Sequence, residues 1–221
     1  APRSLESFGQ THGLMLYRHA AKGALKGALS FGDVRDYALI GDGRGMQALL
    51  DRRFGETSAE IDVPAGQTLD VLVDTMGHCN YGRNIGKDQK GLIGAASLNG
   101  GALEGWTHHG LPLDDLSGLR FGPVVVGDGA VSGPAFYRGT FRVAAPGFTF
   151  LDLRGWGKGY VWVNGRNIGR YWSAGPQQAM FAPGSWLKPG DNEVIVLDLL
   201  GGGPRALSGS PRQIWDLPGS V

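Results

Sequence analysis

Apolar and polar positions alternate with a period of two along many short stretches of this 221-residue chain. Ala59, Ile61 and Val63 take turns with Glu60 and Asp62, and Phe141 and Val143 flank Arg142. Successive strand side chains point to opposite faces, so this pattern predicts strands with one buried and one wet face. Residues 160–163 and 194–199 are denser apolar runs, suited to strands covered on both faces. Asn164-Gly165 follows the first of these runs, and Ile168 resumes the apolar pattern after it. Asn-Gly supplies the two positive-φ residues of a type I′ turn, which predicts a hairpin. Residues 46–54 alone have helical spacing, but Gly41, Gly43 and Gly45 precede them and Gly55 follows, so they are read as strand or irregular.

The pattern occurs twice. Asp36-Tyr37-Ala38-Leu39-Ile40 followed by Gly41-Asp42-Gly43 is similar to Gly159-Tyr160-Val161-Trp162-Val163 followed by Asn164-Gly165-Arg166. Val63-Pro64-Ala65-Gly66 leads into Leu69-Asp70-Val71-Leu72-Val73-Asp74, as Leu187-Lys188-Pro189-Gly190 leads into Glu193-Val194-Ile195-Val196-Leu197-Asp198. Both pairs keep an offset of about 123 residues, which marks an internal repeat. The expectation is an all-β chain of two tandem jelly-roll β-sandwiches, residues 1–112 and 113–221, with a seam near 112–118. Composition agrees. Gly is 39 of 221 residues, roughly twice the usual share, with no collagen-like period, as a turn-rich β chain requires.

A formal charge of +1, with Lys and Arg spread along the chain, offers no field for nucleic acid or an anionic membrane, and neither partner is expected. Cys79 stands alone, which excludes an intrachain disulfide and a cysteine-based zinc cluster. No apolar stretch approaches the length of a membrane span, and residues 1–20 lack the charged-then-apolar order of a signal peptide.

Gly41-x-Gly43-x-Gly45 departs from the dinucleotide pattern, whose third glycine would fall at Met46, and is read as a hairpin turn. His78-Cys79 is read as adjacent strand residues facing opposite ways, hence badly placed to share a proton. His108-His109 near Glu104 lacks metal-ligand spacing, so neither a metal nor a cofactor is expected. Glycoside hydrolysis normally takes two carboxyl groups. The five glutamates, Glu6, Glu56, Glu60, Glu104 and Glu193, sit in none of the contexts that chemistry needs, and no catalytic residue is assigned. Trp106, Trp156, Trp162, Tyr171, Trp172, Trp186 and Trp215 offer flat faces for sugar rings, although packing is the default for most and Trp162 is read as core.

Gly155-Trp156-Gly157-Lys158-Gly159-Tyr160-Val161-Trp162-Val163-Asn164-Gly165-Arg166-Asn167-Ile168-Gly169-Arg170-Tyr171-Trp172 resembles the C-terminal signature of family 35 β-galactosidases. Gly175-Pro176-Gln177-Gln178, Phe181-Ala182-Pro183 and Pro134-Ala135-Phe136-Tyr137-Arg138-Gly139-Thr140-Phe141 continue it. Gly13-Leu14-Met15-Leu16-Tyr17-Arg18, Met76-Gly77-His78-Cys79-Asn80-Tyr81-Gly82, Lys90-Gly91 and residues 98–113 resemble motifs of the β domain that precedes it in that family. The resemblance implies galactose-binding-like sandwiches that follow a (β/α)8 barrel holding the two catalytic glutamates. No part of this chain reads as that barrel, so the implied role is accessory, with the barrel as partner in cis or in trans and a galactoside as ligand. Asn80 and Tyr81 match the family's Asn-Tyr-Gly motif, whose tyrosine reaches towards the galactose; fastening the domain to the barrel is the alternative role. His78 stands where the family commonly carries Arg, and residues 82–89 form a longer segment than the resemblance leads one to expect. A free-standing galactoside-binding module is the rival reading, with Arg170, Tyr171 and Trp172 as its candidate cluster. An independent hydrolase is the third reading, disfavoured by the missing carboxylate pair. Location stays open, with a secreted or periplasmic one favoured over a cytoplasmic one.

Overall fold

The computed structural model describes residues 1–122, 133–202 and 206–216. Its contacts divide the chain into two compact units, Ala1–Asp115 and Leu116–Val221, both all-β. The first unit contains β1 (Leu14–Ala20), β2 (Leu25–Arg35), β3 (Tyr37–Asp42), β4 (Gly45–Asp51), β5 (Ser58–Val63), β6 (Thr68–Asp74), β7 (Gly91–Leu98), β8 (Gly101–Ala102) and β9 (Trp106–Leu111). They pair antiparallel into two sheets, ordered β4-β3-β6-β1-β9 and β5-β2-β7-β8. Alternate residues of each strand turn inward: Met15 and Tyr17 from β1, Ala38 and Ile40 from β3, and Leu69, Val71 and Val73 from β6. These meet Leu29, Phe31, Ile61 and Leu92 of the facing sheet. Burying each such aliphatic side chain contributes about 1.5–3 kcal/mol. The helical spacing of residues 46–54 gives no helix; it becomes β4 and a 3-10 turn at Arg52–Phe54.

The second unit contains β10 (Ala135–Val143), β11 (Thr149–Asp152), β12 (Lys158–Val163), β13 (Arg166–Trp172), β14 (Ala179–Ala182), β15 (Gly190–Asp198) and β16 (Ser208–Ser210). Its sheets are ordered β13-β12-β15-β10 and β14-β11-β16. Strand for strand, this repeats β4-β3-β6-β1 and β5-β2-β7 of the first unit. Every residue of β12 is buried, in keeping with its dense apolar run. Val161 and Val163 face the core with Val194, Val196 and Trp156, while Trp162 is buried on the other face beside Tyr160 and Phe136.

The hydrogen-bond ladders fix which residues correspond. Tyr17 lies opposite Val71, which lies opposite Ile40; Tyr137 lies opposite Val196, which lies opposite Val161. Both hairpins then bulge at the same step, between Ile40 and Gly41 and between Val161 and Trp162. Leu16-Tyr17-Arg18-His19 therefore corresponds to Phe136-Tyr137-Arg138-Gly139. Matching by sequence sets Leu69 on Glu193, one residue away from this register. That match would turn Leu69, Val71 and Val73 onto the face of Glu193, Ile195 and Leu197, whereas the core takes Val194 and Val196. A slip of one residue exchanges the faces of a strand, so the register is corrected although the strands do correspond. Matching Tyr37 to Tyr160 is off by two, which preserves the face.

Asn164 and Gly165 both have positive φ, 47° and 77°, as a type I′ hairpin turn requires. The Asn164 side chain adds three bonds. Its amide donates to the Trp186 carbonyl and to Asn192 Oδ1, each at 2.8 Å, and its oxygen accepts from the Glu193 amide at 3.0 Å. Gly165→Val is expected to cost about 1–3 kcal/mol in thermal or urea unfolding, because a β-branched residue is strained at that φ. Unfolding at the wild-type midpoint would contradict this role for the turn.

Candidate functional site

Between β6 and β7 the chain leaves the first unit's sandwich as a long loop, residues 75–89, which carries Asn80 and Tyr81. The base of this loop is ionic. Asp36 lies between β2 and β3, and Lys90 immediately precedes β7. The Lys90 side chain is only 2% exposed, and its ammonium donates to Asp36 Oδ2 at 2.9 Å and Oδ1 at 3.2 Å and stands 3.0 Å from Asp88 Oδ2. Arg52 donates to Asp36 Oδ1 at 2.5 Å, and Arg35 donates to Asp88 Oδ1 at 2.9 Å and to Asp33 at 2.6 Å. The remaining carboxylate lone pairs are taken by the loop: the amide of Met76 donates to Asp36 Oδ2 at 2.8 Å and that of Cys79 to Asp88 Oδ2 at 3.0 Å.

Burial pushes the carboxyl groups of Asp36 and Asp88 upward. The bonds from Lys90, together with Arg52 and the Met76 amide at Asp36 and the Cys79 amide at Asp88, more than offset that, so both lie below their ordinary value. A second tie runs from the N-terminal segment. Glu6 accepts from the backbone amide of Lys90 at 2.9 Å and bonds His78 Nε2 at 2.7 Å. Burial raises the Glu6 carboxyl, but the His78 bond leads several that hold it below the usual range. His78 thus serves as an anchor of the loop.

Gly91 follows Lys90 for a steric reason. Its φ is +100°, and a Cβ there would lie 2.1 Å from Tyr17 Oη. That hydroxyl donates to the Arg3 carbonyl at 2.8 Å and accepts from the Leu92 amide at 3.0 Å, so it cannot move aside without losing both bonds.

Held in this way, the loop presents Tyr81 at 87% exposure, with Asn80 exposed beside it. The ring and the phenol are open to a partner, and a phenol both donates and accepts. His78 and Cys79 lie in this loop and not in the strand expected for them, and Cys79 is half-buried, its thiol 3.0 Å from the Tyr81 carbonyl. Asp36, Asp88, Arg35 and Arg52 were not singled out from the sequence, although the spacing Asp88-x-Lys90 before an apolar strand is a usable signal.

The second set of candidate residues does not form one surface cluster. Tyr171 alternates with its neighbours along β13 and turns into the core, 4% exposed, with its hydroxyl 3.1 Å from the Leu197 carbonyl. Burial, then the neighbouring Asp198, pushes its phenol far above the ordinary value. Its ring is therefore not a surface for a sugar, which corrects that expectation. Arg170 and Trp172 share the opposite face, both half-buried. Arg170 donates to Tyr160 Oη at 2.8 Å, and the Lys158 ammonium lies 4.8 Å from the Trp172 ring centre. Among the described residues no group of three or more His, Cys, Asp or Glu is placed to hold a metal ion.

Two family models match the chain: the first all-β domain of β-galactosidases over residues 2–114, and the galactose-binding domain of β-galactosidases over residues 134–192. A β-galactosidase of Xanthomonas manihotis is 41% identical over 181 residues, covering 81% of this chain and 30% of its own length. β-Galactosidase-1-like protein 3 of Homo sapiens is 34% identical over 219 residues, 95% of this chain and 31% of its own length. The β-galactosidase of Mus musculus is 37% identical over 190 residues, 76% of this chain and 29% of its own length. The chain thus spans less than a third of the length of these curated relatives.

Lys90→Met is expected to destabilise the first unit by about 3–5 kcal/mol, since it removes the buried ammonium that both carboxylates contact and leaves them only the more exposed Arg52 and Arg35. Calorimetric unfolding at the wild-type temperature would contradict the assignment. The folded-state values of Asp36 and Asp88 are depressed, so their contribution is complete above the ordinary aspartate value of 3.8. It is lost as pH falls through the lower folded values. Stability measured from pH 6 downwards should therefore fall in that acid window, and less steeply in Asp36→Asn.

Proposed function

The chain belongs to the β-galactosidase family through its non-catalytic β domains, and from that premise we propose that it is the accessory region of such an enzyme, docked on a separate catalytic barrel. In this reading the first unit sets its 75–89 loop against the barrel, and Tyr81 reaches the rim of the galactoside pocket with Asn80 beside it. One observation carries the proposal. Tyr81 is 87% exposed yet stands on a loop whose amides are bonded to buried, charge-matched aspartates. A large ring left uncovered on a rigid support fits a surface prepared for a partner, because ordering that loop costs little further entropy on association. Arg170 and Trp172 already engage Tyr160 and Lys158, and Tyr171 is in the core, so the rival reading of a free-standing sugar-binding module has less support.

Two measurements test this reading. The purified chain should release no chromogenic aglycone from a β-galactoside; turnover abolished by replacing one carboxylate of this chain would overturn it. In a polypeptide that joins this chain to its barrel, Tyr81→Phe should lower kcat/KM by about 1–3 kcal/mol of transition-state stabilisation, the scale of one hydrogen bond lost in a dry site. Tyr81→Ala should cost more, because the ring is lost as well. An enzyme indifferent to both changes would show that Tyr81 does not reach the pocket.

A further inference from the structure

The two units share a ladder but not its closure. In the first unit β9 lies antiparallel along the outer edge of β1, and Trp106 sits directly opposite His19, their rings 5.6 Å apart. Trp106 is a core residue and its indole nitrogen donates to the Leu103 carbonyl. In the second unit the corresponding strand, β10, has β15 on one side and no strand on the other among the described residues. His19 corresponds to Gly139, so among the described residues this place lacks both the edge strand and the side chain. What remains is a cleft of about 570 Å³ between the sheets, walled by Tyr137, Phe141, Trp156, Val194, Val196 and Leu207. Tyr137 Oη is buried there without a hydrogen-bond partner among the described residues, whereas its counterpart Tyr17 has two.

We infer that β10 accepts an extended peptide segment as an added antiparallel strand, with an aromatic residue opposite Gly139 and acidic residues opposite Arg138 and Arg142. This goes beyond the role proposed for Tyr81 and does not depend on it. Strand addition supplies main-chain bonds, and alternate side chains supply selectivity. Inward positions of the added strand face Tyr137, Gly139, Phe141 and Val143, so they must be apolar, and an aromatic ring over a strand glycine fills the gap the glycine leaves. Outward positions face Arg138, Thr140 and Arg142, and opposite charges across a pair of strands attract. Arg142 keeps 81% of its side chain exposed, with Asp191 3.9 Å away, and Arg138 lies over the ring of Phe121.

A second copy of this chain fits less well. Pairing two β10 strands about Gly139 sets glycine against glycine and leaves the cleft unfilled. Pairing them about Thr140 sets Phe141 over Gly139 but faces Arg138 with Arg142 twice. Each register of self-pairing thus lacks one of the two features that the edge asks for, and a segment of different sequence supplies both.

The probe is a capped, dye-labelled peptide, Val-Glu-Val-Thr-Trp-Glu-Val-Thr-Val, followed by fluorescence anisotropy. Its control exchanges Trp with the neighbouring Thr so that the ring points outward. Saturable binding that is roughly tenfold weaker for the control is expected, the scale of losing one buried aromatic anchor. Gly139→Leu should abolish binding by occupying the cleft; a Cβ at Gly139 meets only Val194 Cγ1, at 3.8 Å, so the strand accommodates it. Replacing both Arg138 and Arg142 by Glu, at exposed positions, should reverse the preference towards a peptide with Lys in place of Glu. Equal binding of the control, no binding at all, or binding undiminished in Gly139→Leu would overturn the inference. A dimer seen by sedimentation that Gly139→Leu dissolves would give the edge to a second copy and overturn it equally.

Discussion

Lys90 carries its ammonium into the first unit, between Asp36 and Asp88, and a charge so placed has to be matched on every side. Desolvating an ion costs several kcal/mol, which two aspartates, two arginines and two loop amides together offset. The geometry of the 75–89 loop follows from this requirement. Met76 and Cys79 approach the carboxylates because lone pairs there would otherwise be unsatisfied. Glu6 and His78 close the same base from the N-terminal segment. Tyr81 stands 87% exposed on a loop whose fixed points at Met76, His78 and Cys79 are polar contacts.

Much of the fold was legible in the sequence for identifiable reasons. Asn164-Gly165 announces its turn because only residues tolerant of positive φ serve there, and the alternation of Ala59, Ile61 and Val63 records one wet face. The repeat was legible as an order of strands but not as a register. Leu72 beside Leu69, Val71 and Val73, and Ile195 and Leu197 beside Val194 and Val196, put apolar residues on the second face as well, so the period that pins a strand is blurred and similarity of letters points to the wrong face. Tyr171 was grouped with Arg170 and Trp172 by adjacency, although adjacent residues of a strand diverge. Asp36 reads as solvated from the sequence because a charged residue does so until its partners are known, and its side-chain and loop partners lie from 16 to 54 residues away in the chain.

Duplication explains why one scaffold supports two different edges. The ladder through Tyr17, Val71 and Ile40 and the ladder through Tyr137, Val196 and Val161 are the same structure written in different residues. The two units differ where the ladder ends. The first unit closes its seam with β8 and β9 and extends the β6–β7 connection into the loop that bears Tyr81. The second has no strand on the outer side of β10 among the described residues and puts a glycine where a side chain would seal the cleft. Loops and edges vary while the packed strands stay fixed, because a change in the core costs more than a change at its margin.

Amide hydrogen exchange along the 75–89 loop measures the central claim most directly, that buried ion pairing holds the base of the loop that displays Tyr81. At neutral pH the amides of Met76 and Cys79 should exchange slowly, as strand amides do, while those of residues 81–83, near the tip, exchange fast. In Asp88→Asn the Cys79 amide should lose its protection while the amides of β6 keep theirs. Met76 and Cys79 amides exchanging as fast as the tip in the wild type, or a Cys79 amide unaffected by Asp88→Asn, would contradict the account.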